Sequence, residues 1–476
     1  MRAVGSDVRM GPRERRVLRT ISATVAAILA VFAAPAVRAQ AAAAHAQDAG
    51  TGANLDAGMA SRASRFAGFH IPEPPAGQPI PPGEPRPVST RGRLVTRSGR
   101  VAVHGAADVG SDVIETTARI ADRVSGILEG EYLFPPAAPD GDRGGGPELD
   151  VYLVPQDWPC EVAVDALEGW SLWDRAATFV RIRTDLRGLA LERAVAEGIV
   201  GAVLLGVDAR LAPAWRLAMS ASIGARARGL APDEEAMDRF RHAPGRPLIA
   251  QRDDVSARGA AMFVDYLVAR HDERDLRFLR GLTWMTVGRT PDDAPRLIDD
   301  PDIFDVLERI LRDEPGGIDR MLAEFSLARA LAGTQGDTMH LSAPGRGLDA
   351  TVEPEAIATM DHLPNWVTPV HRLEKTGTAY VRIDTRASRG RALNLWFHGV
   401  PLRRWAVIAV RLDVSGREMG RAPNVAVIRG EWSAVMESLD GVREVLVVIV
   451  DLGDHDLDPD VPPDVPGFFA LNLSAS

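Results

Sequence analysis

The spacing of the apolar residues changes near residue 360, and this change limits the fold more than any other feature of the chain. Through the middle of the chain apolar residues recur every three to four positions, which predicts helices. Beyond residue 360 they alternate with polar residues, and the turns carry Gly, Asp and Pro, which is typical of strands. Two short predicted strands, 149–154 and 177–183, precede the helices. We therefore predict an α+β protein, with a mainly helical domain over 99–340 and an all-β domain over 360–476.

The all-β region is predicted to be a sandwich, because about seven short strands follow one another at near-regular spacing. The predicted strands cover residues 379–384, 392–398, 405–412, 424–428, 435–439, 445–450 and 468–473. A helix is also predicted over 112–128, before the first strand.

Residues 1–39 have the composition of a signal peptide. Several arginines precede an uncharged apolar run at 21–34, and small residues follow as far as Ala39. The run is shorter than the ~20 residues needed to cross a bilayer, which argues against a permanent membrane span. We expect cleavage after Ala39 and export to the periplasm, the outer surface or the medium.

Residues 40–98 are rich in Ala, Gly and Pro and are predicted to form a disordered leader. Cys160, placed in a loop, is the only cysteine, so no disulfide can form within the chain and the fold must rest on its apolar core. The net charge of −10, without a basic stripe, argues against nucleic-acid binding. The oligomeric state does not follow from the sequence.

The segments between about residues 100 and 335 resemble a known family in their order. A strand pair is followed by the helix LERAVAEGIV at 191–200, then by Pro213-Ala214-Trp215 and a helix that contains Ala218-Met219-Ser220-Ala221. An apolar helix follows at 260–282. This order resembles the gluzincin-type, thermolysin-like zinc metallopeptidases that bacteria export. In that family two histidines one helical turn apart bind zinc, a glutamate between them acts as general base, and a second helix supplies a third ligand.

Carried over to this chain, the resemblance places the two histidine positions at Ala196 and Val200, the general base at Glu197 and the third ligand at Ala218. Alanine and valine offer no lone pair to a metal, so the resemblance implies a domain that has lost its zinc. It also implies that Ala196→His, Val200→His and Ala218→Glu would bring three ligands to a common point.

Each of these positions also has a simpler interpretation. Glu197 could be solvated, as most lone helical glutamates are, and the three ligand positions could be small core residues. Glu192 and Trp215 are candidates for the cleft, although packing is the favoured role of Trp215.

An acidic run near the C-terminus is the remaining metal candidate. Alternate carboxylates could bind Ca²⁺, and they are those of Asp454, Asp456, Asp458 and Asp460. Pro459 and Val465 depart from the pattern of a calcium-binding EF-hand loop, which favours a solvated acidic turn.

The sequence therefore favours an exported pseudopeptidase that binds polypeptide or cell-envelope material, or serves as a scaffold. Its rivals are a metal-independent hydrolase that uses cleft carboxylates and a purely structural envelope protein. A hydrolase of that kind needs facing carboxylates with shifted pKa values.

Overall fold

The computed structural model describes residues 83–88, 92–168, 175–249, 254–271, 275–287, 301–332, 352–370, 372–422, 425–454, 457 and 467–476. All of these residues belong to one compact unit, Pro72–Ser476. The predicted signal peptide lies outside the described residues, as does most of the predicted leader. Helices and sheets are both present, so the α+β class is confirmed.

The first sheet has five strands in the order β1-β2-β3-β5-β4. They are β1 (Gly92–Val95), β2 (Val101–Gly105), β3 (Leu149–Val154), β4 (Cys160–Glu168) and β5 (Arg175–Arg183). Strands β2, β3 and β5 are parallel, whereas β1 and β4 are antiparallel edges. Cys160, predicted to lie in a loop, is instead the first residue of β4. The alternation of apolar and polar residues in β4 is hard to recognise, because small alanines occupy several positions of its sequence, CEVAVDALE.

The helices follow the chain in this order: α1 (Ser111–Gly130), α2 (Gly188–Leu205), α3 (Pro213–Arg228), α4 (Glu234–His242), α5 (Asp254–Gly259), α6 (Ala261–His271), α7 (Arg277–Met285), α8 (Ile303–Leu311) and α9 (Gly317–Leu331). Helix α1 connects β2 to β3 and packs, with α2, on one face of the first sheet. Helix α2 is buried along most of its length because α3 covers its other side. Among the described residues, no helix has both the length and the apolar character needed to cross a membrane.

The predicted end of the leader at residue 98 lies inside the folded part of the chain. Gly92–Val95 is a strand, and Arg86 lies on the face of the first sheet opposite the helices. Its guanidinium contacts three buried carboxylates, those of Asp140, Asp150 and Asp165. This contact joins residues 54 to 79 positions apart, so the composition of a Pro-rich segment could not indicate it.

Two further sheets form a sandwich. The second sheet has the order β11-β10-β14-β8-β6, with β12 also paired to β10, and the third has the order β13-β9-β15-β7. Their strands are β6 (Ala356–Thr359), β7 (Asn365–Val367), β8 (Thr378–Asp384), β9 (Leu393–Gly399), β10 (Trp405–Leu412), β11 (Glu418–Arg421), β12 (Ala426–Ile428), β13 (Glu431–Met436), β14 (Glu444–Asp451) and β15 (Phe469–Ala475). The strand predicted at 435–439 lies earlier, because the turn at Gly430 (φ +90°) starts it and Ser438 (φ 56°) lies beyond its end.

Both faces of the second sheet are buried. Val407 and Val447 point into the sandwich, where they meet the third sheet. Their neighbours Ile408 and Val448 belong to the same apolar core as the helices. Helix α9 lies against this outer face, and the Oη of Tyr380 donates to the carbonyl of Ser326 at 2.8 Å. The predicted division into domains 99–340 and 360–476 therefore crosses a continuous core.

Candidate functional site

Glu197, the position that the resemblance assigns to a general base, is buried on helix α2. Its side chain is 9% exposed, as is that of Arg258 on α5, and the Nε of Arg258 donates to Oε2 of Glu197 at 3.0 Å. The interpretation of Glu197 as a solvated residue is therefore wrong. A buried carboxylate needs such a partner, because an unpaired charge in this environment is costly.

The positions that the resemblance assigns to zinc ligands are closely packed. Ala196, Val200 and Ala218 are each at most 1% exposed. Helix α3 comes so close to α2 at Gly224 that a Cβ on this glycine would lie 3.3 Å from the Cβ of Ala196. Ala196 therefore packs directly against Gly224 of α3, with little room for a longer side chain. The residues do not fit a zinc ion, in either their donor atoms or the space around them.

Glycines also bring α2 close to the first sheet. A Cβ at Gly198 would lie 2.9 Å from the Sγ of Cys160, and one at Gly201 would lie 2.9 Å from Cγ2 of Val162. Helix α2 is thus held between strand β4 and helix α3 with little free space. Burial raises the pKa of the Cys160 thiol, which makes this cysteine a poor nucleophile.

A pocket of about 130 Å³ opens beside Glu197, on the side of α2 away from the sheet. Its apolar lining comes from Ala221, Ala225, Leu230, Pro232, Met237 and Ala261. Its polar lining comes from Arg193, Glu197, Ser222, Arg226, Asp233, Arg258 and Asp265. The pocket therefore combines three carboxylates and three guanidinium groups with small apolar side chains.

Asp265, on α6, forms the second ion pair of the pocket. Its Oδ1 accepts from the Nη2 of Arg226 at 2.7 Å and from the hydroxyl of Ser222 at 2.7 Å. Ser222 and Arg226 are one turn apart on α3, so their side chains share one face of that helix. The Asp265 carboxylate is buried and the Arg226 side chain is 37% exposed, so this pair extends from the buried part of the pocket to its open edge, the rim.

Asp233 and Arg193 lie at the rim. Asp233 caps helix α4 by accepting from the backbone N–H of Ala236 at 3.2 Å. Its other oxygen lies 3.6 Å from Nη1 of Arg193, whose Nη2 donates to the carbonyl of Ala231 at 3.0 Å. Both side chains of this third pair are about one quarter exposed and can meet a ligand from solvent.

Burial raises the pKa of the Glu197 carboxyl above its ordinary value, and the Arg258 guanidinium opposes this shift. The nearby Asp233 carboxylate raises it further. Opposing influences of this kind occur at catalytic acids, but they also occur in structural ion pairs. In the part of the chain that the structure describes, no group of three or more His, Cys, Asp or Glu side chains is arranged to hold a metal.

The two other cleft candidates lie away from the pocket. Glu192 accepts from Nη2 of Arg228 at 3.0 Å and does not line the pocket. Trp215 is 1% exposed and contacts the ring of Phe263, with centroids 6.1 Å apart. It is a packing anchor and not a cleft residue.

The acidic run near the C-terminus is described only in part. Asp454 is buried, and its backbone carbonyl accepts from Nη2 of Arg429 at 2.9 Å. Asp456, Asp458 and Asp460 lie outside the described residues, so calcium binding there stays a prediction.

Sequence reasoning missed most of the pocket. Arg193 lies four residues before Glu197, and Ser222 lies four before Arg226, and this spacing on a helix was a usable signal. Arg258 is 61 residues from Glu197 in the chain, and no local pattern joins them.

We expect the Glu197–Arg258 pair to behave as a coupled structural unit. Glu197→Leu alone should cost about 3 kcal/mol of unfolding free energy, because it leaves the buried guanidinium without its carboxylate. Adding Arg258→Met should recover most of the loss, since a packed apolar pair replaces the ion pair. Urea denaturation of both single variants and the double variant gives the coupling energy. Strictly additive losses would contradict this description of the pair.

Comparisons with known proteins assign no family. No family model matches the chain, and no curated protein matches it in sequence. The chain is similar to the pre-peptidase C-terminal domain of a collagenase from Bacillus anthracis, at 8% identity and a TM-score of 0.18, over 27% of this chain and 100% of that one.

Two further solved structures are equally distant. The Yersinia pseudotuberculosis-derived mitogen is 11% identical, with a TM-score of 0.17, over 24% of this chain and 86% of that one. The enzymatically active domain of tailspike protein 4 from bacteriophage CBA120 is 13% identical, with a TM-score of 0.15, over 24% of this chain and 18% of that one. Likenesses this weak carry no argument about function.

Proposed function

We propose that this chain is an exported, catalytically degenerate metallopeptidase-like protein that binds polypeptide segments, or holds a partner in place, at the cell envelope. The observation that carries the proposal is the buried pair of Glu197 with Arg258, at the wall of a pocket. In the family that the sequence resembles, a metal ion would supply the positive charge beside this glutamate. Here a guanidinium supplies it, and Ala196 and Val200 supply no ligands.

The lining of the pocket supports a polypeptide as the ligand. Small apolar side chains can receive one side chain of an extended segment, while rim groups of both signs can pair with its peptide N–H and C=O groups. Arg193 and Asp233 are the rim groups best exposed for this. A pocket of about 130 Å³ is small, so it would hold about one residue.

Binding without cleavage is the expected result. Purified protein should bind fluorescein-labelled casein, measured by fluorescence anisotropy, and release no soluble fluorescent peptides with or without added zinc. Ala225→Trp, which fills the pocket, should weaken binding about ten-fold or more, a change of about 1.4 kcal/mol or more. Leu189→Trp, at an exposed position of the same helical unit, is the matched control. Zinc-dependent cleavage, or casein binding that Ala225→Trp leaves unchanged, would overturn the proposal.

A metal-independent hydrolase is the second candidate, because Glu197, Asp233 and Asp265 share one pocket and the pKa of Glu197 is raised. The ion pairs of all three carboxylates weigh against it, because each carboxylate already has an arginine as its partner and none faces a second carboxylate across the pocket as an acid/base pair. Hydrolysis of an ester or glycoside that Glu197→Gln abolishes at unchanged melting temperature would favour this candidate.

A further inference from the structure

The outer face of the third sheet carries exposed aromatic side chains. Trp366 on β7 is 58% exposed and Trp396 on β9 is 48% exposed, whereas Trp405 on the second sheet is fully buried. The alternation along β9 explains this, because Leu395 and Phe397 point into the sandwich and leave Trp396 outside. Exposed tryptophans clustered on one flat face mark an interaction surface, since leaving them in water is unfavourable.

The two tryptophans lie at one level across three neighbouring strands. Trp396 pairs with Asn472 on β15, and Asn472 pairs with Trp366 on its other side. The tryptophans are therefore two strand spacings apart, roughly 10 Å. His398 contacts both rings, with centroid distances of 6.0 Å to Trp366 and 4.6 Å to Trp396. We call these three rings, with the polar side chains around them, the tryptophan face.

The other strand positions of the tryptophan face are mostly polar and nearly uncharged, with Val435 and Ala470 as their apolar members. Its amides and hydroxyls come from Asn394, Ser433, Asn472 and Ser474. Glu431 is the one charged group at these strand positions of the described sheet, and its Oε1 lies 3.4 Å from Nδ1 of His398. A face without Arg or Lys at these positions does not suit an anionic membrane or a nucleic acid.

We propose that the tryptophan face binds a neutral polysaccharide with β-linked pyranose rings. Such a ring has a flat C–H face, which stacks on an indole, and a rim of hydroxyls, which bond to amides and hydroxyls. Asn472, between the two tryptophans, can bond to the hydroxyls of a chain that lies across both. A protein partner would instead need a wide apolar centre, and the centre of this face is an amide.

The proposal can be tested on native gels cast with and without hydroxyethylcellulose, a soluble β-linked glucan. A second test measures how much protein insoluble chitin, another β-linked polymer, removes from solution. We expect the glucan to retard the protein, or chitin to remove it from solution, or both. Trp366→Ala and Trp396→Ala should each weaken binding about ten-fold, and the double variant should abolish it, at unchanged melting temperature. Trp158→Ala removes a tryptophan that is 51% exposed elsewhere, and it should bind like the unsubstituted protein.

Three results would overturn the proposal. One is a failure of both polymers to bind. The second is binding that survives both tryptophan substitutions. The third is that the same variants lose self-association in sedimentation velocity, or flotation with phosphatidylcholine vesicles, while they still bind the polysaccharide.

Discussion

Introducing the three zinc ligands that the resemblance suggests, through Ala196→His, Val200→His and Ala218→Glu, should destabilise the protein by roughly 5 kcal/mol or more, and zinc should not restore it. All three positions are buried, and Ala196 packs directly against Gly224 of α3. Overpacking costs ~1–3 kcal/mol at each site, and an unpaired buried carboxylate adds to that. A loss of this size approaches the whole stability of an ordinary protein.

Thermal unfolding with and without zinc measures this effect. Leu189→His, on the first turn of the same helix but 56% exposed, should change the unfolding free energy by less than ~0.5 kcal/mol and serves as the control. A triple variant that folds and gains a zinc-dependent rise in Tm would show that the helices can separate. The packed arrangement of α2 and α3 would then be wrong.

A fragment that starts at residue 352 and contains only the two sandwich sheets should be insoluble or only partly folded. Removing the helices would expose one whole face of the second sheet. Its apolar residues there are Tyr380, Ala406, Ile408, Val410, Leu412, Leu446, Val448 and Val450. Each large side chain that returns to water forfeits ~1.5–3 kcal/mol, and an exposed apolar sheet face of this size favours aggregation.

A paired substitution gives this prediction two opposite readouts. Ile408 and Val448 are cross-strand partners on that face, so Ile408→Lys with Val448→Glu places opposite charges side by side. The change should make the fragment more soluble, yet it should destabilise the whole chain by several kcal/mol by burying both charges. A soluble, cooperatively folding unsubstituted fragment would show that the sandwich is an independent domain.

The arginine beside Glu197 has a chemical consequence at the pocket. A guanidinium is a fixed positive charge without an open coordination position, so it can hold Glu197 but cannot activate water. The pocket has charges of both signs next to apolar surface, which is the basis for proposing a binding site there.

Local pattern was enough for much of the fold. The strands Leu149–Val154 and Trp405–Leu412 have the predicted bounds, because short apolar runs bordered by turn residues specify an extended segment without help from distant parts of the chain. The absence of zinc donors at Ala196 and Val200 also follows from residue chemistry alone.

One further pattern in the sequence argues against a separate sandwich domain. Strand β9 alternates, as a strand with one buried face should, whereas β10 and β14 are almost uniformly apolar. A continuous apolar run is typical of a strand buried on both faces. It indicates that the second sheet is covered by the helices as well as by the third sheet.

The remaining features were decided by tertiary structure. Arg258 reaches Glu197 across 61 residues, and Arg86 reaches Asp165 across 79. The contact of Gly224 with Ala196 depends on how two helices pack, and the alignment of Trp366 with Trp396 depends on the strand order of a sheet. Such contacts depend on long-range packing, which the local spacing of residues does not reveal. Sequence alone therefore predicted much of the secondary structure and showed that Ala196, Val200 and Ala218 carry no metal donors, while the fold determined what surrounds Glu197.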